Sequence, residues 1–347
     1  MRAVSYPDYG ITPTLGKLAA PVCSDDGVVV EVRATGVCRS DWHAWQGHDE
    51  VPCFPHVPGH EYAGVISEVG ADVSGWKVGD RVVVPFALGC GTCPTCLDGA
   101  HHVCPDNLQP GFTSWGSFAD YVGVPRAQAN LVALPEAVDF VSAASIGCRF
   151  ATSYHAVVER ARIREGEWLA VHGCGGIGLS ALMVGVAMGA RVIAVDVSET
   201  ALKAASELGA EVVVQGPGEV AARIIEITGG GAHVSMDALG AVPTMRASIE
   251  CLRPRGRHLQ VGLMLGDASD TAVPMGRVLA YELALMGSHG MPAGDYGSML
   301  DLVASGQLRP ELLVGRVIAL SEAGKTLAAM SQPPTGSGMT VVDMALS

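Results

Sequence analysis

Two patterns of apolar positions divide the chain. In its first part, short apolar runs are bounded by glycine, proline and other turn residues, a pattern that predicts β-strands. The predicted strands are Val28–Val32, Tyr62–Glu68, Asp80–Val84 and Phe118–Val122. We therefore expect a β-rich domain in this part of the chain.

In the middle of the chain, apolar runs alternate with helix-like segments. Helical patterns include Glu199–Leu208, closed by Gly209, and Gly218–Thr228, closed by Gly229. This alternation indicates right-handed βαβ units and a doubly wound parallel sheet, which places the protein in the α/β class. The predicted strands of that sheet are Trp168–Val171, Arg191–Val195, Glu211–Val214, His233–Met236 and His258–Val261.

The end of the chain has two helical patterns, near Met299–Ser305 and Ser321–Ser331, and a closing strand, Thr340–Met344. This change of pattern fits an α/β domain that is inserted into a first domain made of both chain ends. The predicted domains are residues 1–148 with 286–347 for the β-rich domain and residues 149–285 for the α/β domain.

Composition narrows the function classes. The 347 residues are 49% hydrophobic and include 44 glycines, which suits a two-domain enzyme with a large core. The net charge of −13, without a lysine or arginine run, makes nucleic acid and membrane surfaces poor partners. The most apolar stretch, Leu179–Val197, is broken by Gly185, Gly189 and Arg191 and does not predict a membrane span. Ten cysteines without an export signal indicate a reducing cytoplasm.

Four cysteines follow one another at short intervals, in a C-x2-C-x2-C-x7-C spacing. Thiolates so close in sequence can converge tetrahedrally on one zinc ion, and an all-cysteine site leaves no position open for a substrate. Disulfides or core thiols are the alternatives, but so many cysteines at such intervals are rarely core residues. The predicted ligands of this structural zinc are Cys90, Cys93, Cys96 and Cys104.

A glycine-rich turn, GCGGIG, follows a predicted strand and precedes a helix-like segment. Its three motif glycines would make the tight turn, admit a pyrophosphate and let helix and strand pack closely. Asp196 ends the next strand, where a carboxylate binds the ribose hydroxyls of NAD and repels the 2′-phosphate of NADP. The alternative is an ordinary turn with Asp196 as a strand end. The predicted cofactor contacts of the turn are Gly173, Gly175, Gly176, Ile177 and Gly178.

A second group of potential metal ligands is dispersed. Two thiolates and one imidazole, from Cys38, His60 and Cys148, would form an open zinc site whose fourth position takes water or substrate. Spacing does not select these three residues among ten cysteines and eleven histidines. On residue statistics, the two cysteines are ordinary buried thiols and His60 is an ordinary core histidine.

Four motifs, in the same order, carry a family resemblance. They are G-x-C-x-x-D-x-H from Gly36 to His43, GHEYAG from Gly59 to Gly64 with Gly70 after it, the four cysteines, and the glycine-rich turn. The chain resembles the zinc-dependent alcohol dehydrogenases of the medium-chain dehydrogenase/reductase family over essentially its full length. The resemblance implies a GroES-like catalytic domain with a zinc lobe at residues 88–106, a Rossmann domain that binds NAD, two zinc ions per chain, and a homodimer or homotetramer.

The same resemblance assigns roles to residues of the predicted catalytic site. Cys38, His60 and Cys148 match the ligands of a catalytic zinc, and Asp41 matches the carboxylate that orients the ligand histidine. Glu61 matches a carboxylate that approaches the metal during ligand exchange. Further matches are Ser40 and His43 for a proton relay, Arg39 for the pyrophosphate, Phe86 and Trp115 for the substrate pocket, and Val261, Gly262 and Leu263 for the cofactor. The basic residue that relatives often carry five positions after the ribose-binding acid is Ala201 here, and the nearby Lys203 is the predicted cofactor contact in its place.

The resemblance implies reversible hydride transfer between NAD and an alcohol, aldehyde or ketone. An apolar pocket favours simple alcohols, and polyol or amino-alcohol oxidation is the alternative within the family. A zinc-free reductase of the same superfamily would need neither set of metal ligands. A catalytically silent relative would have lost a ligand or relay residue, and a zinc-ribbon nucleic-acid binder conflicts with the net charge of −13.

Overall fold

The computed structural model describes residues 1–332 and 338–346. The chain forms two compact units, the first made of Met1–Ala151 and Gly290–Ser347 and the second of Thr152–His289. The predicted boundaries, 148/149 and 285/286, differ from these by a few residues.

The described residues contain short strands in both units. In chain order they are β1 (Arg2–Ser5), β2 (Thr14–Lys17), β3 (Val28–Val37), β4 (Glu61–Val69), β5 (Arg81–Val84), β6 (Tyr121–Val124), β7 (Val132–Ala133), β8 (Trp168–His172), β9 (Arg191–Asp196), β10 (Val212–Gln215), β11 (Ala232–Asp237), β12 (Leu252–Gln260), β13 (Ala284–Gly287), β14 (Val314–Ile318) and β15 (Met339–Asp343).

The helices of the described residues are also named in chain order. They are α1 (Arg39–Trp45), α2 (Pro94–Leu97), α3 (Ala127–Asn130), α4 (Phe140–Ser145), α5 (Ala151–Tyr154), α6 (Gly176–Ala187), α7 (Glu199–Glu207), α8 (Val220–Thr228), α9 (Val242–Glu250), α10 (Met275–Ala280), α11 (Tyr296–Ala304) and α12 (Leu320–Ala329). Two π-helical segments, Ile146–Phe150 and His155–Arg160, flank α5. Short 3-10 turns lie at His101–Val103, Gly266–Ala268, Ala293–Asp295, Pro310–Leu313 and Met344–Leu346.

The second unit is built on a six-stranded parallel sheet, in the order β10–β9–β8–β11–β12–β13. The chain starts at the centre with β8, winds to one edge and then to the other, which is the order of doubly wound dinucleotide-binding folds. β8 is buried along its whole length, as expected for a strand covered on both faces. The predicted doubly wound parallel sheet is confirmed.

The first unit is built on a mixed sheet, in the order β14–β15–β3–β4–β5–β7, with β6 also paired to β3. β3 is its longest strand and extends five residues beyond the predicted end at Val32. β15, from the end of the chain, pairs antiparallel with β3. The predicted β-rich fold is therefore confirmed, and a strand from the end of the chain belongs to its sheet.

Several strands differ from the sequence-based prediction. β2 is exposed along its length and β13 nearly so, which leaves no apolar alternation to detect. β12 begins at Leu252, before the predicted His258, because arginines interrupt its apolar pattern. β6 starts at Tyr121 rather than Phe118. Within the described chain, no helix has the length and apolar character that crossing a bilayer requires.

Candidate metal centre and nucleotide turn

Three elements of the first unit bring a second group of metal-ligand types together. Cys38 follows the last residue of β3, His60 precedes the first residue of β4, and the register pairs Gly36 with Glu61. Cys148 lies on the π-helical segment Ile146–Phe150. We call Cys38, His60, Glu61 and Cys148 the mixed cluster, because it combines thiol, imidazole and carboxylate donors.

The donors of the mixed cluster are buried and close enough to share one ion. One ligand atom from each residue lies within 4.8 Å of all the others. The Nε2 atom of His60 is buried and has no hydrogen-bond partner among the described residues. A buried polar atom without a partner is costly, and two thiolates with an imidazole are the donors that zinc prefers. The chemistry of the donors therefore fits a zinc ion.

Asp41 fixes the histidine of this cluster. Its Oδ1 lies 2.8 Å from His60 Nδ1 and accepts a hydrogen bond from the Gly59 N–H at 3.0 Å. Its Oδ2 accepts from the Cys38 N–H at 3.0 Å. Since a carboxylate only accepts, Nδ1 carries the proton and Nε2 faces the thiols. Asp41 therefore holds both ligand segments in one orientation.

The electrostatics of the mixed cluster distribute protons unevenly among its donors. A hydrogen bond with Cys148 lowers the pKa of Cys38 well below its ordinary value, and the same bond, with burial, raises the pKa of Cys148. Burial opposes charge on His60, but Asp41 raises its pKa well above the ordinary value. A divalent ion would take the place of protons on these donors, which is how metal binding couples to pH.

Arg149 occupies both oxygens of Glu61. Its Nε donates to Oε1 at 3.0 Å, its Nη2 donates to Oε2 at 2.5 Å, and its backbone N–H donates to Oε1 at 3.2 Å. The Glu61 side chain is 0% exposed and the Arg149 side chain 12%. Burial raises the pKa of Glu61, and the charge of Arg149 opposes this rise. The pair is thus a buried, bidentate ion pair beside the metal ligands.

Aromatic rings cover part of the mixed cluster. Phe86 packs with Cys38 and Cys148, and its ring centroid lies 6.0 Å from that of His60. The ring of Phe112 lies 5.2 Å from that of His60. Trp115 instead packs against the core of the first unit and donates its indole N–H to the Pro55 carbonyl at 3.0 Å. The structure therefore groups Phe86, but not Trp115, with the predicted ligands.

Helix α1 carries the predicted relay residues. Ser40 Oγ lies 3.9 Å from Cys38 Sγ. Nδ1 of His43 lies 2.9 Å from Nδ1 of His48. Burial, and then the neighbouring charges of His48 and Arg39, lower the pKa of His43. His43 is therefore neutral near pH 7 and able to accept a proton.

Arg39 lies at the start of the same helix. Its guanidinium donates to the Met330 carbonyl at 2.5 Å and lies 5.0 Å from the Trp42 ring centroid. The indole N–H of Trp42 donates to Ser331 Oγ at 2.9 Å. Within the first unit, Arg39 is thus held by contacts with α1 and the segment after α12.

The four cysteines of the zinc lobe converge as their spacing predicts. Sγ atoms of Cys90 and Cys96 are 3.9 Å apart, those of Cys93 and Cys104 are 3.7 Å apart, and all four lie within 4.8 Å of one another. Backbone N–H groups lead the causes that lower the pKa of Cys90 to about 5. A closed set of thiolates, one of them stabilised by N–H donors, fits a structural zinc. We call this group the four-cysteine lobe.

In the second unit, the glycine-rich turn has the backbone its motif requires. Gly173 has φ of +97°, which favours glycine, and a Cβ on Gly178 would overlap the Gly173 carbonyl oxygen. A Cβ on Gly175 would meet no atom within 4 Å. Gly176 is the first residue of α6, and the Ile177 carbonyl accepts from Ser153 Oγ at 2.9 Å. Backbone conformation thus explains Gly173 and close packing explains Gly178, whereas neither explains Gly175.

Asp196 lies beside this turn. Its Oδ2 accepts from the Cys174 N–H at 2.7 Å and its Oδ1 accepts from the Ser198 N–H at 2.8 Å. Lys203 extends along α7 and its Nζ lies 3.9 Å from Glu207, with both side chains mainly exposed. The carboxylate of Asp196 is therefore fixed by backbone donors, whereas Lys203 is held only by a surface ion pair.

The segment after β12 contacts the end of β11. The N–H groups of Val261 and Gly262 donate to the Asp237 carbonyl at 3.1 and 2.9 Å. A Cβ on Gly262 would overlap the backbone of Gly240. Leu263 is 50% exposed. The close backbone approach explains why glycine is required here.

Two family comparisons agree with this geometry. Residues 24–136 match the alcohol dehydrogenase GroES-like domain, and residues 176–305 match the zinc-binding dehydrogenase family. An alcohol dehydrogenase of Geobacillus stearothermophilus is 32% identical over 313 residues, which are 89% of this chain and 90% of the relative. The chain belongs to the zinc-dependent alcohol dehydrogenase family.

Other members of this family span the full fold. A D-arabitol-phosphate dehydrogenase of Enterococcus avium is 32% identical, with 88% of this chain and 87% of the relative covered. The crystal structure of an NAD-dependent alcohol dehydrogenase is 29% identical and superposes with a TM-score of 0.89, covering 99% of this chain and 100% of that one. The family resemblance drawn from the sequence is confirmed.

Two residues of the site were not identified from the sequence. Arg149 directly follows a predicted ligand in the sequence, and its partner Glu61 lies 88 positions earlier. Phe112 lies in the segment after the four cysteines, where no motif marks it. Both residues can be placed in the site only from the folded structure, because their contacts join segments that are distant in sequence.

Proposed function

We propose that this protein is an NAD-dependent alcohol dehydrogenase with two zinc ions per chain, one in the mixed cluster and one in the four-cysteine lobe. The observation that carries the proposal is the buried His60 Nε2, which has no partner among the described residues and lies with two cysteine thiols. A three-ligand site with one open position suits catalysis, whereas four thiolates suit a structural role.

The ligands of the catalytic zinc are Cys38, His60 and Cys148, with Asp41 as the residue that orients His60. Zinc bound there would supply Lewis-acid stabilisation of the substrate oxygen, while NAD would accept the hydride. The hydrogen bonds of Asp41 to His60, Gly59 and Cys38 keep the donors preorganised.

Protons leave the substrate through helix α1. Ser40 would take the hydroxyl proton while giving its own proton, by way of a cofactor ribose hydroxyl, to neutral His43 at the outer end of the relay. The 2.9 Å between Nδ1 of His43 and Nδ1 of His48 supports a route onward to solvent. Ser40 and His43 are thus the relay residues of the proposal.

NAD is the proposed cofactor, held by the second unit. The open space at Gly175 suits a pyrophosphate, and the α6 N-terminus supplies free N–H groups. Asp196 would accept from the ribose hydroxyls and disfavour a 2′-phosphate. Further backbone contacts are proposed for Gly173, Gly176, Ile177, Gly178, Val261, Gly262 and Leu263, with Arg39 and Lys203 as cationic contacts.

The substrate class we favour is a simple aliphatic or aromatic alcohol with its aldehyde or ketone. Phe86 beside the cysteine ligands and Phe112 beside His60 provide apolar walls. A polyol is the second candidate, supported by the relative described as a D-arabitol-phosphate dehydrogenase. Trp115 is retained as a weaker pocket candidate because its indole N–H is engaged by Pro55.

We further propose a homodimer or homotetramer in the cytoplasm. The support for a reducing compartment is that all ten cysteines are free thiols, including those of the two metal-ligand groups.

The test is turnover of a panel by the zinc-loaded protein. The panel contains short alcohols, aromatic alcohols, polyols and the matching carbonyls, each assayed with NAD and with NADP. We expect NAD-dependent oxidation of apolar alcohols. Turnover of polyols alone would favour the second candidate, and no turnover of any alcohol or carbonyl would reject the proposal.

A further inference from the structure

The pairing of Arg149 with Glu61 has no role in the proposed chemistry. The fork-shaped guanidinium engages both carboxylate oxygens, at 3.0 Å for Nε and 2.5 Å for Nη2, and the Arg149 N–H adds a third bond at 3.2 Å. The Glu61 side chain is fully buried and the Arg149 side chain is only 12% exposed. Removing two charges from water is costly, so a pair of this kind points to a specific task.

The surroundings are shaped to hold this pair. A Cβ on Gly36 would overlap Glu61 Oε2, and a Cβ on Gly147 would lie 3.0 Å from the Glu61 Cα. The hydroxyl of Tyr296 donates to the Gly147 carbonyl at 3.2 Å and anchors the π-helical segment that carries Arg149. The space for the carboxylate and the position of the guanidinium are thus both set by the fold.

Glu61 is also a competitor for the metal. A carboxylate oxygen of Glu61 lies within 4.8 Å of the donors of Cys38, His60 and Cys148. Four protein donors would complete a tetrahedral site and leave no position for substrate. An arginine that binds both oxygens of Glu61 keeps this carboxylate from binding the metal, while the carboxylate stays ionised.

We propose that Arg149 is a positioning residue that holds the Glu61 carboxylate away from the catalytic metal and so keeps the fourth position open for substrate. This inference rests on the proposed catalytic zinc. Arginine suits the task because it stays protonated and binds a carboxylate through two parallel bonds. Without Arg149, the metal would be the nearest cation left for a buried carboxylate.

The experiment compares the full-length, zinc-loaded wild type with Arg149→Met, Glu61→Gln and the double variant. The readouts are the rate of zinc transfer to a chelator, the visible spectrum after Co²⁺ substitution, and kcat and KM for an alcohol. We expect Arg149→Met to release the catalytic metal about tenfold more slowly and to lose kcat/KM by about tenfold or more. Its Co²⁺ spectrum should no longer respond to an added alcohol or inhibitor.

The double variant is the decisive arm, because it removes both charges. We expect the wild-type rate of metal release and a Co²⁺ spectrum that again responds to an added alcohol, since a neutral amide competes poorly for the metal. It also serves as the test if Arg149→Met does not fold. The zinc of the four-cysteine lobe, with unchanged release in every variant, is the internal reference.

Two outcomes would overturn the inference. One is an Arg149→Met protein with the wild-type release rate and Co²⁺ spectrum, and the other is a double variant whose release rate and Co²⁺ spectrum match those of the single variant. If the wild type turns over alcohols while either outcome holds, only this inference fails. A wild type without metal at Cys38, or without turnover, would instead reject the proposed function and this inference with it.

Discussion

The four-cysteine lobe and the mixed cluster are built in opposite ways. The lobe takes four identical donors from one short segment, and they satisfy one another and nearby N–H groups. The mixed cluster takes donors from β3, β4 and a π-helical segment, and it surrounds them with Asp41 and Arg149. Under the proposed roles, a structural metal needs only its ligands, whereas a reactive one also needs residues that orient a ligand and hold a competing carboxylate.

The largest expected difference between the four-cysteine lobe and the mixed cluster is in thermal stability. Replacing Cys104 with alanine should remove the lobe metal and lower the melting temperature by about 10 °C or more, because structural zinc contributes directly to folding. Protein that remains folded should keep its kcat. Differential scanning calorimetry with zinc analysis checks this, and an unchanged melting temperature with lost activity would reverse the roles of the two clusters.

Lowering the pH should reduce the free energy of unfolding of the second unit, independently of either metal-ligand cluster. Burial, and then His258, lower the pKa of His172 to about 3. Because the unfolded imidazole binds its proton at a higher pH, stability is lost as pH falls from about 6.5 toward 3, by about 5 kcal/mol. His172→Gln should flatten this part of the unfolding free-energy curve. His101→Gln, in the lobe segment, is the control and should leave the curve unchanged.

A smaller effect should follow from the residue that orients His60. Asp41→Asn keeps the shape but loses the charge and one acceptor, so metal affinity and kcat/KM should fall about 10- to 100-fold. Metal titration and steady-state kinetics measure the two quantities. Asp120→Asn, which alters a partly exposed pair with Arg2, is the matched control. Equal effects of both substitutions would argue against a specific role for Asp41.

The smallest effect concerns the ring beside His60. Phe112→Leu removes a ring contact at 5.2 Å, and such contacts contribute about 0.5–1.5 kcal/mol, so kcat/KM should change by about two- to tenfold. Phe54→Leu, whose ring packs on Tyr6 and Tyr9 instead, should leave the kinetics unchanged. Kinetics with aromatic and aliphatic alcohols test whether Phe112 contacts substrate or only His60.

The fold was predictable where burial produces a regular pattern. β8 and β9 lie within one residue of their predicted ends because both are buried and continuously apolar. β2 and β13 were missed because exposed strands have no apolar alternation, and the π-helical segments have no sequence signal of their own. Tertiary pairing, rather than local preference, determines these elements.

The site was predictable to the extent that its signals are local. The four-cysteine lobe follows from spacing, and Gly173 and Gly178 follow from a turn that only glycine can form. The ligands of the mixed cluster were found through family resemblance, since β3 and β4 must pair before Cys38 meets His60. Arg149 has no local sequence signal, because its partner Glu61 lies 88 positions earlier and only the folded chain brings the two together.

Metal content per chain, measured together with NAD-dependent alcohol oxidation for wild type and Cys38→Ala, tests the central claim most directly. We predict two zinc ions in the wild type and one in the variant, with an unchanged melting temperature. The variant should lose about a thousandfold or more in kcat/KM, since Lewis-acid stabilisation is worth several kcal/mol. One zinc in the wild type, with the same activity in Cys38→Ala, would contradict the claim that the mixed cluster is the catalytic metal site.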